Sequence, residues 1–216
     1  MAGNVLGIFA KQPLPGRVKT RLCPPFSHEQ AAQLYQICLE ETVAAMAQAP
    51  AERVLFYDGD RNFFEQTFPG LRLLPQSGGD LGRRLDQALQ QLFTAGWQRA
   101  VLIGSDSPDL PVKLVADAFA ALASYELAVA PARDGGYVLI GESRHSPQLF
   151  SDMPWSTAEL WPATRHRAAE LGLSYCELDE WEDLDDLAAL QRLYRRAPES
   201  PTALLAARLL APNPFL

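Results

Sequence analysis

The chain has only three cysteines, Cys23, Cys38 and Cys176, scattered along its length. An odd count with no C-x-x-C pairing argues against a disulfide framework and against a zinc knuckle. They read as free thiols of a reducing compartment. Histidine is equally scarce: His28, His145 and His166 stand apart, with no H-E-x-x-H spacing. No apolar run approaches the ~18 residues of a membrane span. The opening Met-Ala-Gly-Asn lacks the basic segment of a signal peptide. A cytoplasmic protein with no membrane partner is therefore expected. Positive charge is also short, with 19 Lys and Arg against 26 Asp and Glu, a net charge of −7. That balance argues against nucleic acid as a partner, since such proteins carry a basic face. Three familiar signatures are missing. G-x-x-x-x-G-K-[ST] fails because Val18 precedes Lys19, no G-x-G-x-x-G follows the first apolar run, and no G-x-S-x-G surrounds Ser105.

What is present is an ordinary globular mixture, 48% hydrophobic and 21% charged over 216 residues. Short apolar runs predict strands at Val5–Ala10, Val54–Tyr57, Leu71–Leu74, Ala100–Ile103, Leu127–Ala130, Tyr137–Ile140 and Ser174–Leu178. Helices are expected from the capping box S-H-E-Q at Ser27 to about Ala49 and from Leu81 to Ala95. Further helices are expected after Pro111, from Thr157 to Leu171 and from Asp185 to Arg195. Strands alternate with helices, so the expected fold is α/β with a mostly parallel sheet. Residues 1–197 read as one domain. Residues 198–216 read as a tail, a short helix that packs on the core or on a second subunit of a homodimer.

Ligands of open parallel sheets bind beyond the carboxyl ends of strands, so the loops there carry the candidate chemistry. The loop K-Q-P-L-P-G-R-V-K-T-R-L places Lys11, Arg17, Lys19 and Arg21 within eleven residues, with Pro13, Pro15 and Gly16 constraining the backbone. Converging cations and free amides are what a triphosphate needs; a solvated basic loop is the plainer alternative. In G-S-D-S-P-D-L, Asp106 and Asp109 follow a buried strand and suit Mg²⁺ or Mn²⁺, although Asp109 also suits a helix cap. Asp134, Gly135, Gly136 and Tyr137 form either a ligand-approach loop or a hairpin turn. In W-E-D-L-D-D-L, Asp183 and Asp185 alternate as on an extended segment, and Asp185 or Asp186 suits a helix cap. Gln76 can read a nucleobase edge with Gly78 and Gly79 leaving room for the ring; a loop capped by Asp80 explains the same residues. Trp155, Ser156 and Thr157 can contact an acceptor, or Ser156 can cap a helix.

Taken in order, V-K-T-R-L, G-S-D-S-P-D-L, D-G-G-Y-x-L-I-G, W-S-T and D-L-D-D-L resemble a small bacterial glycosyltransferase-A-like family. That family, a domain of unknown function, falls within the nucleotide-diphospho-sugar transferase superfamily. The likeness spans roughly Val5 to Tyr194. The K-T-R-L loop is also similar to that of phospholactate guanylyltransferases and, more loosely, of molybdenum-cofactor guanylyltransferases. The resemblance implies a three-layer α/β/α sandwich with a mixed sheet. It implies triphosphate binding by Lys19 and Arg21; Lys11, Gly16, Arg17, Gln76 and Gly79 are the further nucleotide-binding candidates from the loops themselves. Asp106 matches the metal carboxylate after the fourth strand, and Asp183 and Asp185 fall where the superfamily often supplies a second metal or substrate carboxylate. A glycine-rich L-A-G-G opening is replaced here by F-A-K-Q-P-L-P-G.

The expected activity is a metal-dependent transfer using Mg²⁺ or Mn²⁺, with catalysis by Lys19, Arg21 and Asp106. The substrates are a nucleoside triphosphate or nucleotide sugar and a small-molecule acceptor held near Asp134–Tyr137 and Trp155–Thr157. Nucleotidyl transfer with pyrophosphate release leads. Glycosyl transfer from a nucleotide sugar and a non-catalytic nucleotide-binding role are the alternatives.

Overall fold

The structure, a computed structural model, describes residues 3–210. Seven strands form one sheet: β1 (Asn4–Lys11), β2 (Glu52–Asp58), β3 (Arg72–Pro75), β4 (Arg99–Gly104), β5 (Leu127–Pro131), β6 (Tyr137–Glu142) and β7 (Tyr175–Glu177). Their order is β3-β2-β1-β4-β6-β5-β7. Strand β6 runs antiparallel to both neighbours, and every other pairing is parallel. The mixed, mostly parallel α/β sheet is the expected fold.

Side-chain alternation explains why the strands read as continuous apolar runs. Along β4, Val101 and Ile103 join one buried cluster while Ala100 and Leu102 join the other. Both faces are covered, so the interior positions Ala100–Ile103 are all apolar and the charged Arg99 stands at the strand's start. Helices α1 (His28–Ala45) and α4 (Val112–Ala121) supply Leu39, Val43, Leu114 and Ala118 to the first cluster. Helices α3 (Leu81–Thr94) and α5 (Leu160–Glu170) supply Leu85, Leu89, Leu92, Trp161 and Ala168 to the second. Each leucine or valine among them contributes about 1.5–3 kcal/mol by leaving water. The outer side of α1 packs through Leu34 and Cys38 against α6 (Leu187–Arg196) and α7 (Pro201–Leu210). Glu41 of α1 accepts hydrogen bonds from Thr202 N and Oγ1, which fixes the first turn of α7. The last residues of the expected tail, 211–216, lie outside the described residues.

Local chemistry sets the boundaries. The capping box is formed: Ser27 Oγ accepts from Gln30 N and Gln30 Oε1 accepts from Ser27 N. Helix α2 (Arg61–Thr67), capped by Asp60, was not expected from the sequence. Helix α5 starts at Leu160 rather than at Thr157, since Ser156 has φ 62 and Thr157 Oγ1 accepts from Glu159 N. Helix α6 starts at Leu187 because Asp186 Oδ1 accepts from Ala189 N, which leaves Asp185 in the preceding loop. Pro111 is the residue before the first turn of α4. Among the described residues no helix is long and apolar enough to cross a membrane.

Candidate active site

Parallel pairing of β1 with β4 brings the loops after both strands to one edge, with Phe9 opposite Gly104. The loop after β3 and the segment between β7 and α6 reach the same edge. There a cavity of about 610 Å³ opens, lined by Lys11, Arg17, Lys19 and Arg21 and facing Asp106, Asp183 and Asp185. Gln76, Gly79, Tyr137 and Ser156 also line it.

Lys19 is the centre of the arrangement. Its backbone is left-handed, φ 46, and leads into a single 3₁₀ turn at Thr20–Leu22 whose Leu22 is buried. That conformation is uncommon for a residue with a side chain. It turns the ammonium inward, with 6% side-chain exposure, to lie 3.2 Å from Asp106 Oδ2 and 3.0 Å from Asp185 Oδ1. Burial alone would lower the Lys19 pKa, but Asp106 and Asp185 outweigh it and hold it above the usual lysine range. Arg21 reaches the other oxygen of Asp185 at 3.3 Å. Burial works against ionisation of Asp185, yet Lys19 and Arg21 keep its pKa below the ordinary carboxylate value. Lys11 and Arg17 are exposed at the mouth and make no ion pair among the described residues.

Asp106 folds back over Gly104, where a Cβ would collide with its Oδ1. Asp183 is different in kind. Its Oδ1 accepts a 2.6 Å hydrogen bond from Ser107 Oγ. Burial, and then the negative charge of Asp106, push its pKa well above the carboxylate range. Among the described residues no group of three or more His, Cys, Asp or Glu side chains is arranged to hold a metal ion. Mg²⁺ and Mn²⁺ do not need one: one or two carboxylates plus substrate phosphates and water suffice. Asp106 and Asp183 fit that requirement, whereas Asp185 is already engaged by two cations. Asp109 caps no helix; its Oδ2 is 2.8 Å from Arg196 Nε.

Gln76 lines the cavity with its polar groups already spent, and several other candidates lie behind the wall. Both N–H groups of Gln76 Nε2 are used, donating to Ala10 O and Phe56 O, while Oε1 accepts from Arg84 Nη1. Gly16 (φ 72), Asp134, Gly135, Gly136, Trp155 and Thr157 lie outside the lining. Gly135, at φ 89, lets the backbone of Ala158 approach where a Cβ would collide, and its carbonyl accepts from Trp161 N at 2.8 Å. Asp134 Oδ1 accepts from Gly136 N, the turn alternative. Trp155 seats its indole on Gly82 of α3 and meets Tyr137 edge-on at 6.4 Å.

Two residues of the site were given no role by the sequence. Tyr35, from α1, accepts from Lys11 N at 3.0 Å and shares a 2.8 Å hydrogen bond with Ser105 Oγ. Burial pushes its phenol up to about 12, so it stays neutral. Arg84 ties Asp58, Gln76 and Gly79 O together. Arg84 stood in the sequence beside the Gly78-Gly79 break, whereas Tyr35 looked like any apolar helix position.

The family described as "Uncharacterized protein conserved in bacteria (DUF2064)" matches residues 42–157. The chain belongs to this family. A crystal structure of a provisionally named nucleotide-diphospho-sugar transferase from Desulfovibrio desulfuricans G20 superimposes on the DUF2064 protein with a TM-score of 0.91. It is 33% identical and covers 98% of this chain and 96% of its own. CMP:2-keto-3-deoxy-manno-octonic acid synthetase complexed with CTP is 15% identical with a TM-score of 0.57, covering 96% of this chain and 100% of that one. A manganese complex of Rv0371C from Mycobacterium tuberculosis H37Rv is 16% identical with a TM-score of 0.54, over 88% of this chain and 98% of that one. These last two share the fold with the DUF2064 protein. No curated protein matches it significantly.

Proposed function

We propose that the protein is a metal-dependent transferase that binds a nucleoside triphosphate and moves its nucleotidyl group to a small phosphorylated or hydroxyl acceptor. The observation that carries this reading is the convergence, in one cavity, of Lys11, Arg17, Lys19 and Arg21 with Asp106 and Asp183. A triphosphate is complementary to that pairing of cations with a metal-binding carboxylate pair. The fold shared with a synthetase that holds CTP, and with a manganese complex, supports it.

Arg17, Arg21 and Lys11 face the phosphates from the mouth. Lys19 holds Asp185 back from the carboxylate pair and presents one positive charge to the α-phosphate region. Mg²⁺ or Mn²⁺ held by Asp106 and Asp183 would supply charge neutralisation on the phosphate oxygens. The acceptor oxygen, on the Tyr137 and Ser156 side, attacks the α-phosphorus. The new P–O bond forms as the bond to the bridging oxygen breaks, and pyrophosphate leaves. Positioning and electrostatics supply the rate.

A thermal-shift screen of nucleoside triphosphates and nucleotide sugars, each with and without Mg²⁺ or Mn²⁺, tests the reading. A ligand at ~100 times its dissociation constant adds about 2.7 kcal/mol of stability. A metal-dependent shift with one triphosphate, followed by pyrophosphate release, is expected. The similarity to a provisionally named nucleotide-diphospho-sugar transferase favours glycosyl transfer as a second reading; nucleoside diphosphate release from a nucleotide sugar would establish it. Nucleotide binding of equal strength without metal, and no turnover, points to a non-catalytic role. No shift with any ligand ends the proposal.

A further inference from the structure

Two cations bridge the same pair of loops. Lys19 does so from inside the cavity, pairing with Asp106 of one loop and Asp185 of the other. Arg196, the last residue of α6, does so from outside. It does not line the cavity, yet its Nε lies 2.8 Å from Asp109 Oδ2 and its Nη1 pairs with Glu182 Oε1. Asp109 stands three positions after Asp106, and Glu182 directly precedes Asp183. Both partners are almost closed to water, with 11% and 7% side-chain exposure. The guanidinium is itself fixed, its Cζ lying 5.2 Å from the Trp181 ring centroid. Arg192 Nε holds the second oxygen of Glu182 at 2.6 Å. Between these ion pairs the loops meet directly, through Leu184 N donating to Asp106 O at 2.8 Å and Ser107 Oγ donating to Asp183.

We propose that Arg196 is a positioning residue that sets the separation of Asp106 and Asp183, the carboxylates assigned above to the metal. The inference rests on that assignment. Its physical basis is the shape of the guanidinium. A planar fork donates to two carboxylates in one fixed relation, which an ammonium does not impose. Lys19 is a poor brace during turnover, because bound phosphate competes with Asp106 and Asp185 for its ammonium. Arg196 lies outside the cavity and holds the spacing throughout.

The test uses the full chain with Arg196→Gln, Arg196→Lys and Asp109→Asn. Mn²⁺ alone probes the carboxylates, and amide hydrogen exchange probes the loops. Arg196→Gln is expected to keep the circular dichroism spectrum of the parent and to weaken Mn²⁺ binding by roughly 10–100-fold, the usual loss when an outer partner of a metal ligand is removed. Exchange of Leu184 N–H should rise by about tenfold or more while that of Leu102 N–H, in β4, stays level. Arg196→Lys should restore only part of the binding. Adding Asp109→Asn to Arg196→Gln should cost little more, since both remove the same link. Unchanged Mn²⁺ affinity in Arg196→Gln overturns the proposal. So does equal acceleration at Leu184 and Leu102, which marks a general loss of stability. If Arg196→Gln does not fold, Arg196→Lys decides by the same two readouts. Asp106→Asn separates this from failure of the metal assignment. A parent that binds Mn²⁺ no better than Asp106→Asn defeats that assignment, and Arg196 is then a brace of the fold alone. Binding lost in Asp106→Asn and kept in Arg196→Gln removes Arg196 and leaves the assignment standing.

Discussion

Lys19 Nζ lies 3.0 Å from Asp185 Oδ1, a contact between residues 166 positions apart. It joins the loop after the first strand to the segment before α6, and so closes the cavity around Asp106. A buried ammonium between carboxylates is costly to leave half-paired. The pairing therefore fixes the site geometry before any ligand arrives.

Lys19→Met should lower turnover by about 10²–10³-fold, equivalent to about 2.7–4 kcal/mol, the loss typical of one preorganised charge donor. Pyrophosphate release under saturating nucleotide measures it. Turnover equal to the parent excludes Lys19 from the chemistry.

Arg21 is 75% exposed, so its contribution is screened by salt. Arg21→Ala should weaken nucleotide affinity most at low ionic strength, with the gap to the parent narrowing as salt is added. Calorimetric titration at two salt concentrations checks this. Unchanged affinity and turnover at both end the assignment.

Asp106→Asn should abolish the effect of Mg²⁺ or Mn²⁺ on nucleotide binding. Thermal shift with nucleotide, with and without metal, reads this out. A metal-dependent shift of parental size in the variant places the metal elsewhere.

Gly135→Ala should cost about 2–4 kcal/mol. It puts a side chain into left-handed backbone and against the backbone of Ala158. Denaturant unfolding measures the loss, and a change below 1 kcal/mol would mean that the turn relaxes freely.

His145 sits between Glu142, whose oxygen is 2.9 Å from Nδ1, and Asp86, 3.0 Å from Nε2. Burial opposes its protonation, but Glu142 and Asp86 outweigh it and raise its pKa. A raised folded-state pKa favours the charged form on folding. Its contribution is therefore complete below the unfolded value of about 6.5 and is lost as pH rises through the raised value. His145→Gln should cost about 2 kcal/mol at pH 6 and less at higher pH. Unfolding free energies of parent and variant across that range should converge upward in pH; a constant difference contradicts the ion pairing.

Much of the architecture was legible in one dimension. Strands β1 and β4 are buried on both faces, so each is an uninterrupted apolar run such as V-L-G-I-F-A, and the run alone marks the strand. Ser27 and Asp80 cap helices through bonds to residues three positions away, which makes those starts local and readable. The four-cation loop and the strand-terminal Asp106 were equally visible, because cations grouped in an acidic chain and a carboxylate after an apolar run are patterns of composition. Helix α2 escaped notice because its seven residues are too few to show a period.

Pairings across the chain had no such signature. That Lys19 holds Asp185, that Ser107 binds Asp183 and that Arg196 braces Asp109 and Glu182 follows from which strands are neighbours. Gln76 offered a free amide in the sequence and spends both of its N–H groups on carbonyls of β1 and β2. Gly135 suggested room for a ligand, and the room is filled by Ala158. Residue type announces what chemistry a side chain can do. Whether a charge or an amide remains free to do it depends on partners brought close by sheet order, which burial and hydrogen bonding fix only once the chain has folded.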